Sequence, residues 1–570
     1  MSQSPDLGPR QRAQSLDRFN TEPFDIIVVG GGATGAGCAL DAATRGLRVA
    51  LVEQRDWAAG TSSRSSKLIH GGLRYLEQLE FRLVWEALRE RGLMVHRLAP
   101  HLVQPIPFIY PLQHPVWERA YVGTGVALYD LLAVAGRRPW RGHRHLSQRR
   151  ALSLFPGLRS GTVKGAIQYW DAQVDDARYA MTLVRTAAVY GAVAATSVRA
   201  VGLIRDRGQV RGVVARCLES GRDLEVTGRV VINATGVWAD DIEDLAETTG
   251  LHVEASKGIH LVVPRTSIDS TVGLIMRTST SVLFVIPWGA HWLIGTTDTP
   301  WGLDKAHPAA SRTDIGYLLE QVNRVLEQPI GHADVVGVYA GLRPLLAGEA
   351  EHTSRLSREH AVMEVAPGLV TVAGGKYTTY RVMAADAVDA ATRSWLPRPP
   401  ASGTASIPLV GAERFESVWR RRDEIGQRYD VETGTVERLL RRYGSLTPEV
   451  LETGNCDPQW RSYIADGGGY LRAEVRYAAT HEGALHLDDV LTRRTRLSIE
   501  VADRGIKAAP EVARIMAEVL GWDEATVSRE LDHYGRRVDA ERESQRMPDD
   551  RTADAARLGA PDVRMGATSS

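Results

Sequence analysis

A glycine-rich segment between an apolar run and an alanine-rich run constrains the fold of this chain most strongly. Phe24-Asp-Ile-Ile-Val-Val29 has the length and composition of a buried parallel strand and leads directly into Gly30-Gly-Gly32-Ala-Thr-Gly35. Small residues continue to Arg45, which suits a helix packed closely on a sheet, and the run from Arg48 to Val52 predicts the next strand. This order predicts a βαβ unit of an α/β fold.

The spacing of these glycines is that of a dinucleotide-binding turn. Gly30 permits the tight turn, Gly32 lets backbone amides approach a pyrophosphate at the helix start, and Gly35 lets helix and strand touch. Glu53, at the end of the second strand, is placed to bind ribose hydroxyls. This turn alone does not distinguish NAD from FAD. The residues that it predicts to contact the cofactor are Gly30, Gly32, Ala33, Thr34, Gly35 and Glu53.

Two later segments favour FAD. From Ser197 to Val231, short apolar strands alternate with polar turns, which predicts an antiparallel meander that ends in Asn233-Ala-Thr-Gly236. Such a meander, returning beside the first βαβ unit, is the organisation of two-dinucleotide-fold flavoproteins. Leu369 to Ala373 predicts another buried strand, and Gly374-Gly-Lys-Tyr-Thr-Thr-Tyr-Arg381 opens a helix whose amides can face an anionic reduced flavin. FAD is therefore the predicted cofactor.

Charge and cysteine content argue against several other classes. The 570 residues include 69 basic and 69 acidic side chains, so the formal net charge of zero gives no bulk electrostatic support for nucleic-acid binding. Cys38, Cys217 and Cys456 lie far apart, which supports neither a disulfide framework nor a cysteine-rich metal site, and we expect no metal. The polar first twenty residues predict no signal peptide. The uncharged stretch from Thr278 to Thr297 predicts two strands around a turn, so we expect no transmembrane helix.

Several longer motifs occur together in one order. They are Thr61-Ser-Ser-Arg-Ser-Ser-Lys-Leu-Ile-His-Gly-Gly-Leu-Arg-Tyr-Leu76, Ser256-Lys-Gly-Ile-His-Leu-Val-Val-Pro264, Ile286-Pro-Trp288, Ile294-Gly-Thr-Thr-Asp298, Gly341-Leu-Arg-Pro344 and Gly374-Gly-Lys-Tyr-Thr-Thr-Tyr-Arg381. With them the chain resembles, from about Phe24 to Leu520, the FAD-dependent sn-glycerol-3-phosphate dehydrogenases that pass electrons to membrane quinone. The resemblance implies oxidation of sn-glycerol 3-phosphate to dihydroxyacetone phosphate, by hydride transfer from C2 to flavin N5, in glycerol and glycerophospholipid catabolism. It also implies a cytoplasmic protein on the inner face of the cell membrane, and it allows a homodimer.

Sequence pattern and resemblance together predict an α/β fold with a two-dinucleotide-fold FAD domain of the glutathione-reductase and D-amino-acid-oxidase type. An antiparallel-sheet substrate domain is interleaved with it over residues 22–393, with FAD parts at about 22–100, 170–250 and 345–393 and substrate parts at about 101–169 and 251–344. A Pro-rich linker after Leu396 precedes an all-helical domain at 403–537. Residues 1–21 and 541–570 are predicted polar tails, and the last thirty residues have the composition of a disordered segment.

The resemblance also assigns residues to the site. His260 is the first choice for the base that takes the hydroxyl proton, while Arg343 or Lys376 could instead polarise the oxygen. The predicted substrate-binding residues are Arg74, Tyr75, His260, Arg343, Arg358 and Lys376. The further predicted cofactor contacts are Thr61, Ser62, Ser66, Lys67, His70, Gly71, Gly72, Ala234, Thr235, Gly236, Gly375, Lys376, Tyr377 and Thr378. Arg64 departs from the small residue that the family pattern leads us to expect.

A basic stretch and two alternative functions complete the expectations. Gly136 to Arg150 contains six arginines and Trp140 but no acid, so it is a candidate for docking on anionic lipid, with a solvated loop as the other interpretation. An oxidase of the same substrate, which hands electrons to oxygen and forms hydrogen peroxide, would share nearly all these motifs. A flavin-containing binding or RNA-modifying scaffold is the third interpretation, and the zero net charge argues against it.

Overall fold

Two sheets and a block of helices make up the part of the chain that the computed structural model describes, residues 6–72, 80–114, 116–134, 142–248, 250–278, 282–347, 359–454 and 457–564. The strands are β1 (Phe24–Val29), β2 (Val49–Val52), β3 (Leu68–Ile69), β4 (Val103–Leu112), β5 (Arg144–Ser147), β6 (Gly165–Val174), β7 (Val193–Ala195), β8 (Val198–Asp206), β9 (Gln209–Cys217), β10 (Asp223–Asn233), β11 (Val253–Pro264), β12 (Gly273–Arg277), β13 (Val282–Trp288), β14 (His291–Gly295), β15 (Thr299–Pro300), β16 (Gly337–Leu346), β17 (His360–Ala366) and β18 (Leu369–Gly374).

The α-helices are also numbered in chain order. They are α1 (Pro9–Thr21), α2 (Ala33–Thr44), α3 (Phe81–Leu93), α4 (Trp117–Val134), α5 (Gln148–Leu154), α6 (Asp176–Val189), α7 (Ala239–Leu245), α8 (Arg312–Asn323), α9 (Tyr380–Thr392), α10 (Phe415–Arg420), α11 (Arg422–Tyr429), α12 (Thr433–Tyr443), α13 (Thr447–Leu451), α14 (Arg472–His481), α15 (Leu487–Asp489), α16 (Leu497–Glu500), α17 (Ala509–Leu520), α18 (Glu524–Ser544) and α19 (Asp550–Leu558).

The first sheet has the strand order β17-β18-β10-β1-β2-β7, in which all strands except β17 run parallel. Strand β1 is apolar on both faces because both faces are covered. Ile26 and Val28 lie in the core shared with α2, α6 and α9, whereas Ile27 and Val29 lie in the core shared with α1 and the meander. Strands β8, β9 and β10 form that meander by antiparallel pairing, as the sequence predicted. The predicted fold class is confirmed.

The second sheet is mostly antiparallel and has the order β15-β11-β14-β13-β12-β4-β6-β3, with β16 paired to β11 and β5 to β6. Side chains alternate across β11. Ile259, Leu261 and Val263 lie in the core that includes residues of α8. His260 is on the opposite face, which turns toward the first sheet's cofactor segments. This alternation places a polar residue on a strand whose neighbours are core residues.

Helices α10 to α18 form a third layer with its own apolar core, which includes Val436, Leu439, Tyr477 and Val512. Buried ion pairs join this layer to the two sheets: the guanidinium of Arg494 lies 2.7 Å from the carboxylate of Asp56, and that of Arg178 lies 2.6 Å from Glu482. The domain boundaries predicted at 22–393 and 403–537 stay predictions.

Helices lie in both segments that were expected to be polar tails, and the expectation that the last thirty residues are disordered is wrong for residues 541–564. Helix α1 buries Phe19 against the first sheet, and α19 buries Ala553. The polar composition of the C-terminal segment suggested disorder, but its charged residues form ion pairs with the rest of the chain. Asp550 accepts a hydrogen bond from Lys257, and Arg564 lies 2.8 Å from Asp489. Among the described residues, no helix combines the length and apolar character that crossing a membrane requires.

Candidate active site

The turn from β1 into α2 is built for close approach of a ligand to the backbone. Gly30 has φ of +111°, and a Cβ atom there would lie 2.7 Å from the carbonyl oxygen of Ala234. A Cβ atom on Gly35 would lie 1.8 Å from the carbonyl oxygen of Gly30. The hydroxyl of Ser62 accepts a hydrogen bond from the Ala33 amide at 2.9 Å. The start of α2 therefore has the open, amide-rich form that a pyrophosphate needs.

Glu53 closes the other side of this turn. Its carboxylate accepts hydrogen bonds from the amides of Gly31 at 2.6 Å and Arg55 at 2.7 Å. Burial raises the pKa of Glu53, while those two amides lower it in opposition. Because a carboxylate offers about four acceptor sites, Glu53 keeps capacity for hydroxyl donors in the cavity that it lines.

A single cavity of about 560 Å³ runs from this turn to the second sheet. Its volume is within the range of cofactor and ligand sites, roughly 300 to 1,000 Å³. The predicted residues that line it are Gly30, Gly32, Ala33, Thr34, Glu53, Thr61, Ser62, Ser66, His70, Gly72, Ala234, Thr235, Gly236, His260, Arg343, Gly375, Lys376, Tyr377 and Thr378. We call it the FAD cavity, because its glycine cradle and amide-rich helix start fit that group.

Not every predicted residue reaches the FAD cavity. Gly35 and Gly71 lie behind the lining, as does Lys67, whose ammonium is fully buried. Arg74, Tyr75 and Arg358 lie outside the described residues.

Lys67 holds the cofactor loop in place from behind. Its ammonium donates to the carboxylate of Asp176 and to the carbonyl of Ser63, each at 2.7 Å. Arg496, from the helical layer, lies 2.6 Å from the same Asp176 carboxylate. Burial and then the charge of Arg496 lower the pKa of Lys67 to about 8, against the opposing effect of Asp176. The sequence predicted a cofactor contact here, but the structure shows a buried ion pair.

His260 lies on β11 at the substrate end of the FAD cavity. Its Nε2 is 2.9 Å from the hydroxyl of Ser66, and its ring stacks on Tyr339 with centroids 4.8 Å apart. The residue is 2% exposed. Burial, followed by the positive charges of Arg343 and Lys67, lowers the pKa of His260 well below its usual value. His260 is therefore a neutral imidazole at pH 7, the form that can accept a proton.

Arg343 lies on β16, one strand from His260. Its guanidinium donates to the Thr296 hydroxyl at 3.1 Å, to the Thr297 carbonyl at 3.2 Å and to the Asp298 carboxylate at 3.4 Å. Ser256 also donates to Asp298. These contacts fix the guanidinium at the cavity wall, while 23% of the side chain remains exposed. A positioned Arg of this kind suits a phosphate.

The segment after β18 supplies the opposite wall. Lys376 and Thr378 line the cavity, and the Thr378 hydroxyl donates to the His70 carbonyl at 3.2 Å. The Tyr377 hydroxyl donates to the Asp176 carbonyl at 2.6 Å. The Gly374–Arg381 motif is thus hydrogen-bonded to the Thr61–Leu76 motif, which brings the two predicted cofactor segments together.

Sequence reasoning missed several lining residues. Thr296 and Asp298 line the cavity and belong to the Ile294–Asp298 motif, for which the sequence predicted no role of individual residues. Arg64, noted only as a departure from the expected small residue, also lines the cavity. Ile275 and Phe284 form an apolar part of the wall, and no signal in the sequence separates them from ordinary strand residues.

Comparisons with known proteins agree with this geometry. The profile of the FAD dependent oxidoreductase family matches residues 25–381, and the profile of the C-terminal domain of alpha-glycerophosphate oxidase matches residues 402–527. The chain is 55% identical to glycerol-3-phosphate dehydrogenase 2 of Mycobacterium tuberculosis over 559 residues, which cover 98% of this chain and 95% of that protein. It is 36% identical to the mitochondrial glycerol-3-phosphate dehydrogenase of Homo sapiens over 547 residues, 92% of this chain and 74% of that protein.

Among solved structures, the fold is similar to the glycerol-3-phosphate dehydrogenase from Bacillus halodurans complexed with FAD. The TM-score is 0.77 and the identity is 27%, with 94% of this chain and 98% of that chain covered. The prediction of FAD as cofactor is confirmed by the family match. The chain belongs to the family of FAD-dependent glycerol-3-phosphate dehydrogenases.

Proposed function

We propose that this protein oxidises sn-glycerol 3-phosphate to dihydroxyacetone phosphate and passes the electrons to a membrane quinone. The observation that carries the proposal is the placement of a neutral imidazole, His260, and a fixed guanidinium, Arg343, on neighbouring strands at one end of the FAD cavity. The names of the relatives, glycerol-3-phosphate dehydrogenases, support the same substrate.

The residues divide the work according to their charge. Bound FAD supplies a hydride acceptor for C2 of the substrate. Arg343 and Lys376 bind the phosphate dianion, and Arg74, Tyr75 and Arg358 stay predictions for the same role. His260 accepts the proton of the C2 hydroxyl at its Nε2, where the Ser66 hydroxyl already lies within hydrogen-bonding distance. Its lowered pKa keeps that nitrogen available at neutral pH.

Anaerobic reduction of the flavin tests the substrate. We expect sn-glycerol 3-phosphate to bleach the absorption near 450 nm rapidly, while glycerol, glycerol 1-phosphate and amino acids leave it unchanged. Persistent colour with every compound would remove the main support for the dehydrogenase assignment.

Two variants test the assigned roles. Arg343→Ala should raise KM strongly and keep FAD, because it removes a phosphate contact made at all stages of the reaction. His260→Asn should slow flavin reduction by a factor of roughly 10² to 10⁴, the usual contribution of a positioned base. His252→Asn, an exposed histidine, is the matched control. Unchanged kinetic constants in either active-site variant would contradict its assigned role.

An oxidase that passes electrons to oxygen is the second candidate, because the profile over residues 402–527 is named after alpha-glycerophosphate oxidase. Oxygen consumption and peroxide formation during turnover without quinone would favour it. Turnover that requires an added quinone would favour the dehydrogenase.

A membrane surface accompanies the proposed use of quinone. Helices α3 and α4 pack on each other through Val84, Leu88 and Tyr129. Their outer sides carry large apolar residues that are at least 40% exposed, namely Phe81, Trp85, Trp117, Tyr121 and Leu131. Five exposed large apolar side chains on two helices that pack on each other are typical of an interaction site. We assign it to the lipid interface, where Trp and Tyr are favoured.

Liposome sedimentation tests this surface. Trp117→Ser combined with Tyr121→Ser should lower the bound fraction on anionic vesicles, and Tyr190→Ser, at an exposed tyrosine after α6, is the control. Replacing Arg137, Arg138, Arg141 and Arg144 with serine should lower it as well; the first three, with Trp140, lie outside the described residues, and Arg144 is exposed on β5. An unchanged bound fraction in both multiple variants would exclude this face.

A further inference from the structure

A second cavity, of about 60 Å³, lies behind the loop that carries Ser62. The cofactor loop, the segment before α8, β16 and the C-terminal helices α18 and α19 all contribute to its wall. We call it the rear cavity and define it by six of its polar lining residues, namely Arg64, His307, Ser498, Arg537, Glu541 and Arg557. Arg64 lines both the rear cavity and the FAD cavity.

The charges around the rear cavity are unbalanced. Arg537 forms an ion pair with Asp488, but within the described ranges neither Arg64 nor Arg557 has a carboxylate within 4.0 Å. The guanidinium of Arg64 donates to the Ala306 carbonyl at 3.1 Å, and that of Arg557 donates to the Arg537 carbonyl at 3.3 Å. Uncompensated buried charges cost several kcal/mol. An arrangement of this kind therefore gains stability from an anion.

Acidic groups do not supply that anion. Glu541 is the acidic side chain of the lining, and its carboxylate lies 4.0 Å from Arg537. The two carboxylates nearest Arg496, which also borders the cavity, are Asp175 and Asp176, and both are engaged by that residue. Two carboxylates, those of Glu541 in the lining and of Asp488, thus face three guanidinium groups, those of Arg64, Arg537 and Arg557.

Neutral donors point to the same place. Both ring nitrogens of His307 are buried and have no hydrogen-bond partner among the residues that the structure describes. The hydroxyl of Ser498 is also buried and has no hydrogen-bond partner among the described residues. Buried polar atoms are almost always hydrogen-bonded, to protein, water or ligand. Two such side chains in one small, cationic cavity indicate a bound polar group.

The pKa shifts of the residues around the rear cavity also indicate a shortage of negative charge there. Burial, followed by the charges of Arg55 and Arg537, lowers the pKa of Arg64 to about 9. Burial also lowers the pKa of Arg557, to about 10, although the charges of Glu541, Asp488 and Asp304 oppose the shift, and Arg537 adds to it. His307 is held neutral by burial and by the charge of Arg557. A neutral imidazole keeps one N–H donor for an anion.

We propose that the rear cavity binds a small inorganic oxyanion such as phosphate or sulfate, held by Arg64 and Arg557 with hydrogen bonds from His307 and Ser498. At about 15 Å³ for each water by this measure, the cavity has room for roughly four waters, so it accommodates a tetrahedral oxyanion and excludes a nucleotide. Bidentate guanidinium groups suit that ligand. Because Arg64 also lines the FAD cavity, the bound anion fixes a side chain at the wall of the active site. The proposal does not depend on the identity of the oxidised substrate.

Equilibrium dialysis of the holoenzyme against radioactive phosphate tests the proposal. Arg557→Gln is compared with Arg551→Gln, an exposed arginine of α19. Any phosphate in the FAD cavity is common to both variants. We expect Arg551→Gln to bind one phosphate per chain more than Arg557→Gln, and excess sulfate, unlike chloride at equal ionic strength, to displace that phosphate. Equal binding by two variants with full FAD content would overturn the proposal.

A second variant and a direct measurement cover the case in which Arg557→Gln fails to retain FAD. His307→Leu should lose the same phosphate. In crystals of the unmodified holoenzyme soaked in selenate, an anomalous selenium peak is expected between Arg64 and Arg557. A rear cavity that shows only water at saturating selenate would overturn the proposal.

Discussion

His486 joins the helical layer to the first sheet by a charge that depends on pH. Its Nε2 lies 3.0 Å from Glu219, in the turn between β9 and β10, and its Nδ1 lies 2.9 Å from Glu530 of α18. The residue is 7% exposed. Burial by itself would lower the pKa of His486, and Arg564 acts in the same direction, but the hydrogen bonds that the ring donates to the two carboxylates raise it to about 10. We predict that raising the pH weakens this junction.

The size of the effect follows from the pKa difference. The pKa rises from 6.5 in the unfolded chain to about 10 in the folded chain, and each unit corresponds to about 1.4 kcal/mol, so the protonated form contributes about 5 kcal/mol. Since the folded pKa is the higher one, this stability is present in full below pH 6.5 and is lost as the pH rises through 10. The lowered pKa of Glu219, about 2, reflects the same ion pair and is counted once.

Thermal unfolding of the holoenzyme at pH 6 and pH 10 measures this contribution. An unfolding entropy of about 2.1 cal/mol/K per residue gives roughly 1.2 kcal/mol/K for the whole chain, so 5 kcal/mol corresponds to about 4 °C in Tm. The Tm difference between the unaltered protein and His486→Gln should shrink by about 3.5 °C between the two pH values. The control is His252→Gln, whose exposed ring lies 3.0 Å from Asp240. If the His486→Gln difference is the same at both pH values, the ion pair does not carry the charge inferred.

Three further predictions concern the active site and its support. Gly35→Ala should abolish FAD binding, because its Cβ would lie 1.8 Å from the Gly30 carbonyl, whereas Gly92→Ala, where a Cβ meets nothing within 4 Å, should keep it; absorbance at 450 nm per chain measures both. Asp176→Asn should lower the free energy of unfolding by about 3 to 5 kcal/mol, since it removes the carboxylate of a buried pair with Lys67; a Tm within 1 °C of the unaltered protein would contradict this. The rate constant of flavin reduction at saturating sn-glycerol 3-phosphate, where titration of the free substrate no longer limits binding, should stay constant from about pH 8 to below 6.5, because the lowered pKa keeps His260 neutral throughout; an inflection near 6.5 in these saturating stopped-flow rates would show an ordinary histidine.

The parts of the fold that sequence predicted are those specified by local pattern. The Gly30 turn, the meander and the strand before Gly374 are each encoded within a few residues, and their order identifies the sheet. The placement of Arg343 and His260 on neighbouring strands required the register of β11 and β16, which pairs Arg343 with Ser256 and Tyr339 with His260. The sequence alone does not give this register, so the prediction that the two residues share one site came from the family resemblance.

Other features could not be predicted, because polar residues carry no sign of their partners. Lys67 sits in a cofactor motif, yet it bonds Asp176, which lies far along the chain. The C-terminal segment resembles a disordered tail by composition, yet Arg564 is buried against Asp489. Such ion pairs have no periodicity, so only the folded structure reveals them.

The alternation of segments between the two sheets limits how this protein can be divided. Strand β1 pairs with β10, and β10 pairs with β18, although these strands begin at residues 24, 223 and 369. The second sheet takes β3 to β6 from the chain between β1 and β10, and β11 to β16 from the chain between β10 and β18. No contiguous piece of the gene therefore encodes either sheet alone. A chimera between two relatives would have to exchange both sheets together, whereas a single crossover can transfer the helical layer after residue 415. Arg494 and Arg496 of that layer form buried ion pairs with Asp56 and Asp176. Both parent proteins therefore need the same charged residues at these four positions.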